Sequence, residues 1–520
     1  MKLNTFAIIL QKTFAKPHEE AKISSSTVNP LVSEMASWYE KFRNSIEYRE
    51  EEMILRASIE RILKRKLALT TDSKKAGTEL VRELTWSKHI QEENATEAIT
   101  EKVIESIHLF LELKKNVSSQ KAINDSVLTS FIYNVLSSDI ENILSPSKER
   151  ETVENYIFHI LEKNMKIEND KNSDASVQLF IAIKKSYSKN DSALLEYNLF
   201  KQYFGDLTSD NLGETKKNFI KGYKTIKSHL NHPLRFKILN YVKRQIPPFL
   251  ILEDILRQDP SYLNLAENET EKLDQIIRET CNKRYETIAG KVRRAIIRSI
   301  IFIALSKVFF AFSIEATYDN LVHGEVFWLP LIVNILGPIV LMIIVSLLIR
   351  IPGEKNTNEV LRRIHILISS EDPSIGKVFT VKSDDKTNRN SLYTLFTLLS
   401  LTGFAVTIGI IIMLLMRFNF TLVSQGIFLF FLSIVSFLAY RINQTAQIYT
   451  VVEKQNFLTP IVDLFFMPIA RLGRHLTEGI SQINIFLFIL DFIIETPYKG
   501  LLSFFEQWFF FLHAKRDDLS

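Results

Sequence analysis

RRAIIRSIIFIALSKVFFAFSI (Arg293–Ile314) and, after a short gap, FWLPLIVNILGPIVLMIIVSLLI (Phe327–Ile349) decide how this chain is read. A helix crosses the hydrocarbon layer of a bilayer with about 20 mainly apolar residues. The second segment reaches that length with no charged residue inside it, as do Ser391–Met416 and Thr421–Tyr440 further on. The first, counted from Ala295, is weaker, because Lys307 sits in its middle and Arg298 near its start. Hydrocarbon offers no partner to a free backbone N–H or C=O, so each span is expected to be helical. The four segments fall as two hairpins, which predicts an all-α polytopic membrane protein.

The flanking charges give an orientation. Lys291, Arg293, Arg294 and Arg298 crowd the start of the first span. The loop expected after it holds Glu315, Asp319, His323 and Glu325 but no Lys or Arg, whereas residues 350–390 are rich in both. Basic residues are retained on the cytoplasmic side. Both termini and the middle loop 350–390 are therefore expected in the cytoplasm of a cell membrane, with Arg417 the discordant charge.

Outside the spans the pattern is helical and polar. The chain has 520 residues with 15 Gly and 14 Pro, and no segment shows sustained strand-type alternation. From Ser33 to Leu69, Met35, Trp38, Phe42, Ile46, Ile59, Ile62 and Leu63 recur close to helical spacing. Polar turn sequences such as 70–73 and 118–120 separate the next helices. Asn268 and Glu271 form a capping-box variant ahead of one long helix, 272–314, in which Gly290 is the position for a hinge. The expected organisation is a tether or amphipathic start over 1–32 and a large cytoplasmic α-helical domain over 33–290. The membrane domain occupies 291–441, and interfacial amphipathic helices 442–520. A re-entrant hairpin over 483–513 is the alternative for the tail, since Ile483–Ile494 is short for a span and contains Asp491.

A net charge of +5 is small for this length and does not single out nucleic acid, which ranks last among partners. One cysteine, Cys281, excludes an intrachain disulfide and fits a reducing compartment. The sequence contains no P-loop, Gly-x-Gly-x-x-Gly, His-Glu-x-x-His, Cys-x-x-Cys or Gly-x-Ser-x-Gly. It favours an enzyme least, and no catalytic residue, cofactor or metal is expected. His229 and His232 are spaced as His-x-x-His but lack an evident third ligand.

Two groups of residues carry functional expectations. Inside the spans, an ammonium costs at least ~2.5 kcal/mol and tends to face a bundle interior or a water path. Lys307 is therefore expected to point toward the second span, where Asn334 and the kinking Pro338 lie. Ser400, Thr402, Thr407, Ser424 and Gln425 would extend a polar seam. The bland alternative is a Lys307 that snorkels, since no acidic residue is expected at its depth. On the polar side, Lys217, Lys221 and Lys224 share one helical face and, with Lys291, Arg293 and Arg294, are candidates for anionic lipid headgroups. The competing reading is a solvated helix neutralised by Glu253 and Asp254.

Two passages, WYEKFRNSIEYREEEMILRASIERILKR (Trp38–Arg65) and PIARLGRHLTEGISQINIFLFILDFIIETP (Pro468–Pro497), resemble a family of uncharacterised multi-pass membrane proteins of small-genome bacteria. The resemblance implies a bacterial membrane and carries no functional residues. The sequence thus points first to a membrane-anchored helical scaffold, its cytoplasmic domain binding a protein partner or an anionic lipid surface. The second reading is a small transporter or channel with a polar site around Lys307 and Asn334. Four spans are few for a conduit, so that reading requires a homo-oligomer.

Overall fold

The computed structural model describes residues 2–15, 30–47, 53–91, 95–168, 174–370, 379–382, 386–451, 469–476 and 496–517. The described residues are overwhelmingly helical. The order begins α1 (Thr5–Phe14), α2 (Pro30–Glu47), α3 (Ile54–Leu69), α4 (Ser73–Trp86), α5 (Glu97–Ser119) and α6 (Asp125–Leu144). It continues α7 (Lys148–Lys163), β1 (Met165–Glu168), α8 (Asp174–Ser186), α9 (Ser192–Phe204), α10 (Leu212–Leu230), α11 (Arg235–Gln245) and α12 (Pro247–Gln258). Then come α13 (Leu265–Asn268), α14 (Thr270–Phe310), a π-helical turn (Ala311–Glu315), α15 (Ala316–His323), α16 (Trp328–Leu348) and α17 (Glu354–Ser369). The last are β2 (Phe379–Lys382), α18 (Lys386–Arg417), α19 (Leu422–Ala446) and α20 (Thr496–Asp517), with a short helix at 469–476.

The chain forms two compact units. One comprises the described parts of Thr5–Lys243, Ser374–Val381 and Ile485–Ser520; the other those of Met1–Asn4, Arg244–Pro373 and Lys382–Asn484. The first unit is organised around α6, which is apolar on most of its circumference. Leu128, Phe131, Ile132, Val135, Leu136 and Ile140 are all buried, and α3, α5 and α9 pack around them. Full burial of such a side chain contributes roughly 1.5–3 kcal/mol. Phe131 meets Phe219 and Tyr223 of α10 edge-on, and Phe110 of α5 meets Phe200 of α9. The helix starts are fixed by side-chain caps: Asp72, Thr96, Asn124 and Asp191 each accept from a backbone N–H of the following turn.

In the same unit α20 returns against α2 and α4. Leu502 is enclosed with Val32, Ala36 and Trp86, and the Trp86 indole N–H donates to Glu506 Oε1 at 2.7 Å. Beneath them lies a buried charge group. The Arg61 guanidinium donates to both Glu40 oxygens at 2.8 Å, Lys499 Nζ approaches Glu40 Oε1 at 3.4 Å, and Arg65 pairs with Glu83. Burial pushes the Glu40 carboxyl up, but Arg61, His89 and Lys499 together outweigh it and hold it well below the usual carboxylate range. The helical spacing over 33–69 is realised as α2 and α3, on either side of residues 48–52, which lie outside the described ones. A strand pair, β1 with β2, adds a small sheet that the sequence pattern does not announce.

In the second unit α14 is the long element, 41 residues with no break at Gly290, or about 60 Å of helix. Its polar half is held on two sides. Arg284 grips Asp254 of α12, and Asp274 meets the His365 ring of α17 at 2.6 Å. Asn356 donates to the Tyr285 hydroxyl at 2.9 Å and to Tyr449 O at 2.7 Å. Residues 350–390, expected to be a loop, thus contain a helix, α17, whose Val360, Ile364, Leu367 and Ile368 are buried at helical spacing. Asn4 ties the chain start to it, through its N–H to Ile368 O and its amide to Leu367 O. The expected Asn268 cap does not form. The buried Leu263 and Ala266 keep the chain helical through Asn268, so Glu269 becomes the residue before α14 and makes no side-chain cap.

Four helices are long and apolar enough to cross a membrane: Thr270–His323, Trp328–Leu348, Thr397–Arg417 and Leu422–Ala446. Large side chains on their outer faces have no protein cover, with Leu305 at 70%, Leu347 at 79% and Leu422 at 83% exposure. Contiguous apolar surface of this kind needs hydrocarbon rather than water around it. Of the tail expected over 442–520, residues 442–446 continue α19, and 447–451, the short helix 469–476 and α20 are also described; 452–468 and 477–495 lie outside the described residues.

Candidate functional site

α14, α16 and α19 pack against one another, and the polar groups of the spans converge between them. Lys307 is fully enclosed, but its ammonium contacts Glu315 and α19 rather than the second span, α16, toward which it is expected to point. Its Nζ lies 3.2 Å from Glu315 Oε1 and 4.7 Å from the centre of the Phe431 ring on α19. Glu315 is equally enclosed, and its second oxygen accepts from the Asn334 amide of α16. The same amide donates to Ser424 O at 3.1 Å, which links α19 to the pair. Three helices are therefore joined through one carboxylate and one amide.

Glu315 overturns the expectation of a loop without an acidic partner for Lys307. The helix does not stop at Ile314 but runs to His323 through the π turn. Eight residues of regular α-helix set two side chains about 80° apart. A π turn acts as one inserted residue and removes about 100° of that, so Glu315 comes round to the face of Lys307. The wider turn is visible in its bonds: Ala316 N–H donates to Ala311 O, and Thr317 Oγ1 to Phe312 O at 3.2 Å.

Pro338 is buried one turn beyond Asn334 on α16, in line with Leu331 and Met342. Lacking an N–H, it leaves the Asn334 carbonyl without its intrahelical donor. Gly337 beside it brings α16 close to α19: a Cβ there would lie 2.9 Å from Phe428 Cε2. Of the expected seam, only Ser424 joins the site. Thr402 is exposed, Thr407 donates to Gly403 O, Gln425 donates to Phe420 O, and the Ser400 side chain lies outside the described residues. Two buried acceptors in this region have no partner among the described residues, Asn334 Oδ1 and Asp319 Oδ1.

The basic candidates lie elsewhere. Lys217, Lys221 and Lys224 are exposed along α10, while its other lysines are engaged, Lys216 with Glu112 and Lys227 with Glu196. Glu253 and Asp254 pair with Arg257 and Arg284. Lys291, Arg293 and Arg294 are exposed on α14 where its polar half meets the apolar one. Asp174 lies 3.7 Å from His229 and 3.9 Å from His232, but no group of side chains among the described residues is arranged to hold a metal. Cys281 is buried on α14, where burial raises its thiol to about 12. No protein-family model, curated protein or solved structure matches this chain.

Proposed function

We propose that this chain is a membrane-anchored helical scaffold of a bacterial inner membrane, its N-terminal unit cytoplasmic and binding a protein partner or an anionic lipid surface. One observation carries the reading: Lys307, Glu315 and Asn334 have no accessible surface, and all three are bonded together through the Glu315 carboxylate. A polar group closed in this way fastens helices together rather than lining a passage. The row Lys217, Lys221, Lys224 supplies exposed charge for an anionic surface, worth about 1 kcal/mol per residue near a charged membrane. Full-length protein in nanodiscs of neutral lipid is expected to bind vesicles containing phosphatidylserine and to ignore phosphatidylcholine ones. Replacing the three lysines by glutamate should abolish that binding; unchanged binding would sink the lipid arm of the proposal.

A second reading, a small oligomeric transporter or channel, is favoured by the unpartnered acceptors Asn334 Oδ1 and Asp319 Oδ1 beside an ionisable pair. It requires flux through vesicles containing the full chain that falls when Lys307 is changed to Ala.

A further inference from the structure

α20 is turned inside out for a helix on a protein surface. Lys499 and Glu506 face the protein: Lys499 Nζ lies 3.4 Å from Glu40 Oε1, and Glu506 accepts from the Trp86 indole. Its outward stripe is Leu501, Phe504, Trp508, Phe511 and Leu512, at helical spacing and all exposed, Phe504 at 59%. α2 repeats the pattern with Leu31, Met35 and Trp38, the last 65% exposed. The two stripes meet at Tyr498, whose hydroxyl donates to Met35 O at 2.8 Å and whose ring stacks on Tyr39 with centroids 4.9 Å apart. An open pocket lined by Leu31, Glu34, Met35, Trp38 and Tyr498 lies at this junction. The charges described along the two stripes are Glu34 and Lys515, one of each sign.

We propose that the joined outer face of α2 and α20 is a membrane-docking surface, inserting into the headgroup and upper acyl region of a phospholipid bilayer. Tryptophan, phenylalanine and leucine along one side of a helix, with charge on the other, is the composition of helices that lie in the bilayer interface. Of the chain's four tryptophans only Trp86 is buried. Trp328 opens α16, at the level where interfacial tryptophans gather, and the remaining two, Trp38 and Trp508, stand on this face. Four helices of the same chain are long and apolar enough to cross a membrane, so a bilayer is tethered beside the face at high effective concentration. A second copy or another protein has no such advantage. The inference rests on reading those helices as spans and not on the lysine row of α10. The face is neutral and takes zwitterionic lipid, whereas Lys217, Lys221 and Lys224 require anionic lipid. It also differs from an interfacial tail, because α2 near the chain start supplies part of the surface.

The test places a nitroxide on the full-length protein in phosphatidylcholine vesicles, at Met35→Cys or at Phe504→Cys, with the buried Cys281 left in place. Relaxation of the label by oxygen, which concentrates in lipid, is compared with relaxation by a water-soluble nickel chelate. The oxygen-to-nickel ratio at both positions is expected to be several-fold above that at Val127→Cys, an exposed site on α6. Leu501→Cys reads the same stripe if Phe504→Cys fails to fold. A ratio equal to that of Val127→Cys at either position would overturn the proposal, since a rise on α20 alone leaves a tail helix without α2. Protection from both reagents would overturn it as well, and line broadening that unlabelled protein dilutes away would identify a second copy as the occupant. Replacing Lys217, Lys221 and Lys224 by glutamate should leave the ratios unchanged, so loss of phosphatidylserine binding and loss of this docking are read separately.

Discussion

Lys307 and Glu315 stand eight residues apart on one continuous helix, and their charged ends still meet at 3.2 Å with no solvent access to either. The π turn between them makes this geometry, and Asn334 completes it from the neighbouring helix.

Breaking such a pair from one side strands the other charge. Glu315→Gln or Lys307→Met alone should cost about 3–5 kcal/mol, whereas replacing both at once should cost clearly less than the sum. Unfolding of the purified protein in detergent, measured as a double-mutant cycle, checks this. Additive losses would mean that the two side chains do not interact.

The bulge makes an unusual deletion tolerable. Removing Phe312, an exposed residue of the π turn, would restore regular α-helix and leave Lys307 and Glu315 seven residues apart, still on one face. Removing Leu305, also exposed but in regular helix, would swing the two halves of the helix by about 100° against each other. Detergent-resistant folding should therefore survive the first deletion and fail with the second.

Two glycines in the second unit mark close approaches of different hardness. At Gly473, in the short helix 469–476, a Cβ would lie 1.9 Å from the backbone oxygen of Ser433 on α19. At Gly337 it would meet the ring edge of Phe428 at 2.9 Å, a side chain that can turn aside. Gly337→Ala should cost about 1–3 kcal/mol as ordinary overpacking. Gly473→Ala should instead detach the short helix, read as faster labelling of a cysteine placed at Leu472.

Acid should loosen the first unit. Glu40 is held well below its ordinary value, 4.5, so its contribution is complete above that pH and drains away as pH falls through the lowered folded value. Since Lys499 of α20 approaches the same carboxylate, exposure of Trp86 is expected as pH drops below about 4. Glu40→Gln should start less stable at neutral pH and show a flatter acid response. Identical acid profiles would remove Glu40 from the account.

The sequence showed the spans because length and lack of charge are one-dimensional properties. It also showed the inward aim of Lys307, since an ammonium in hydrocarbon has few other places to go. It could not show Glu315 as the partner. A π turn has no compositional signature, and without it Glu315 counts as a loop residue beyond Ile314. The helix α17 was legible at Val360, Ile364, Leu367 and Ile368, but the basic residues between them read more loudly as an orientation signal. Asn268 failed as a cap because burial of Leu263 and Ala266 extended the previous turn, a packing effect that local spacing does not carry.

The unbroken course of α14 past Gly290 gives the molecule a driveshaft. Tyr285 is clasped by Asn356, and Lys307 sits about 33 Å further along the same axis with no universal joint between them. The angle at which that clasp holds the shaft is the angle at which the ammonium faces Glu315, so a slipped grip at Tyr285 would be felt inside the membrane as torque on the charge.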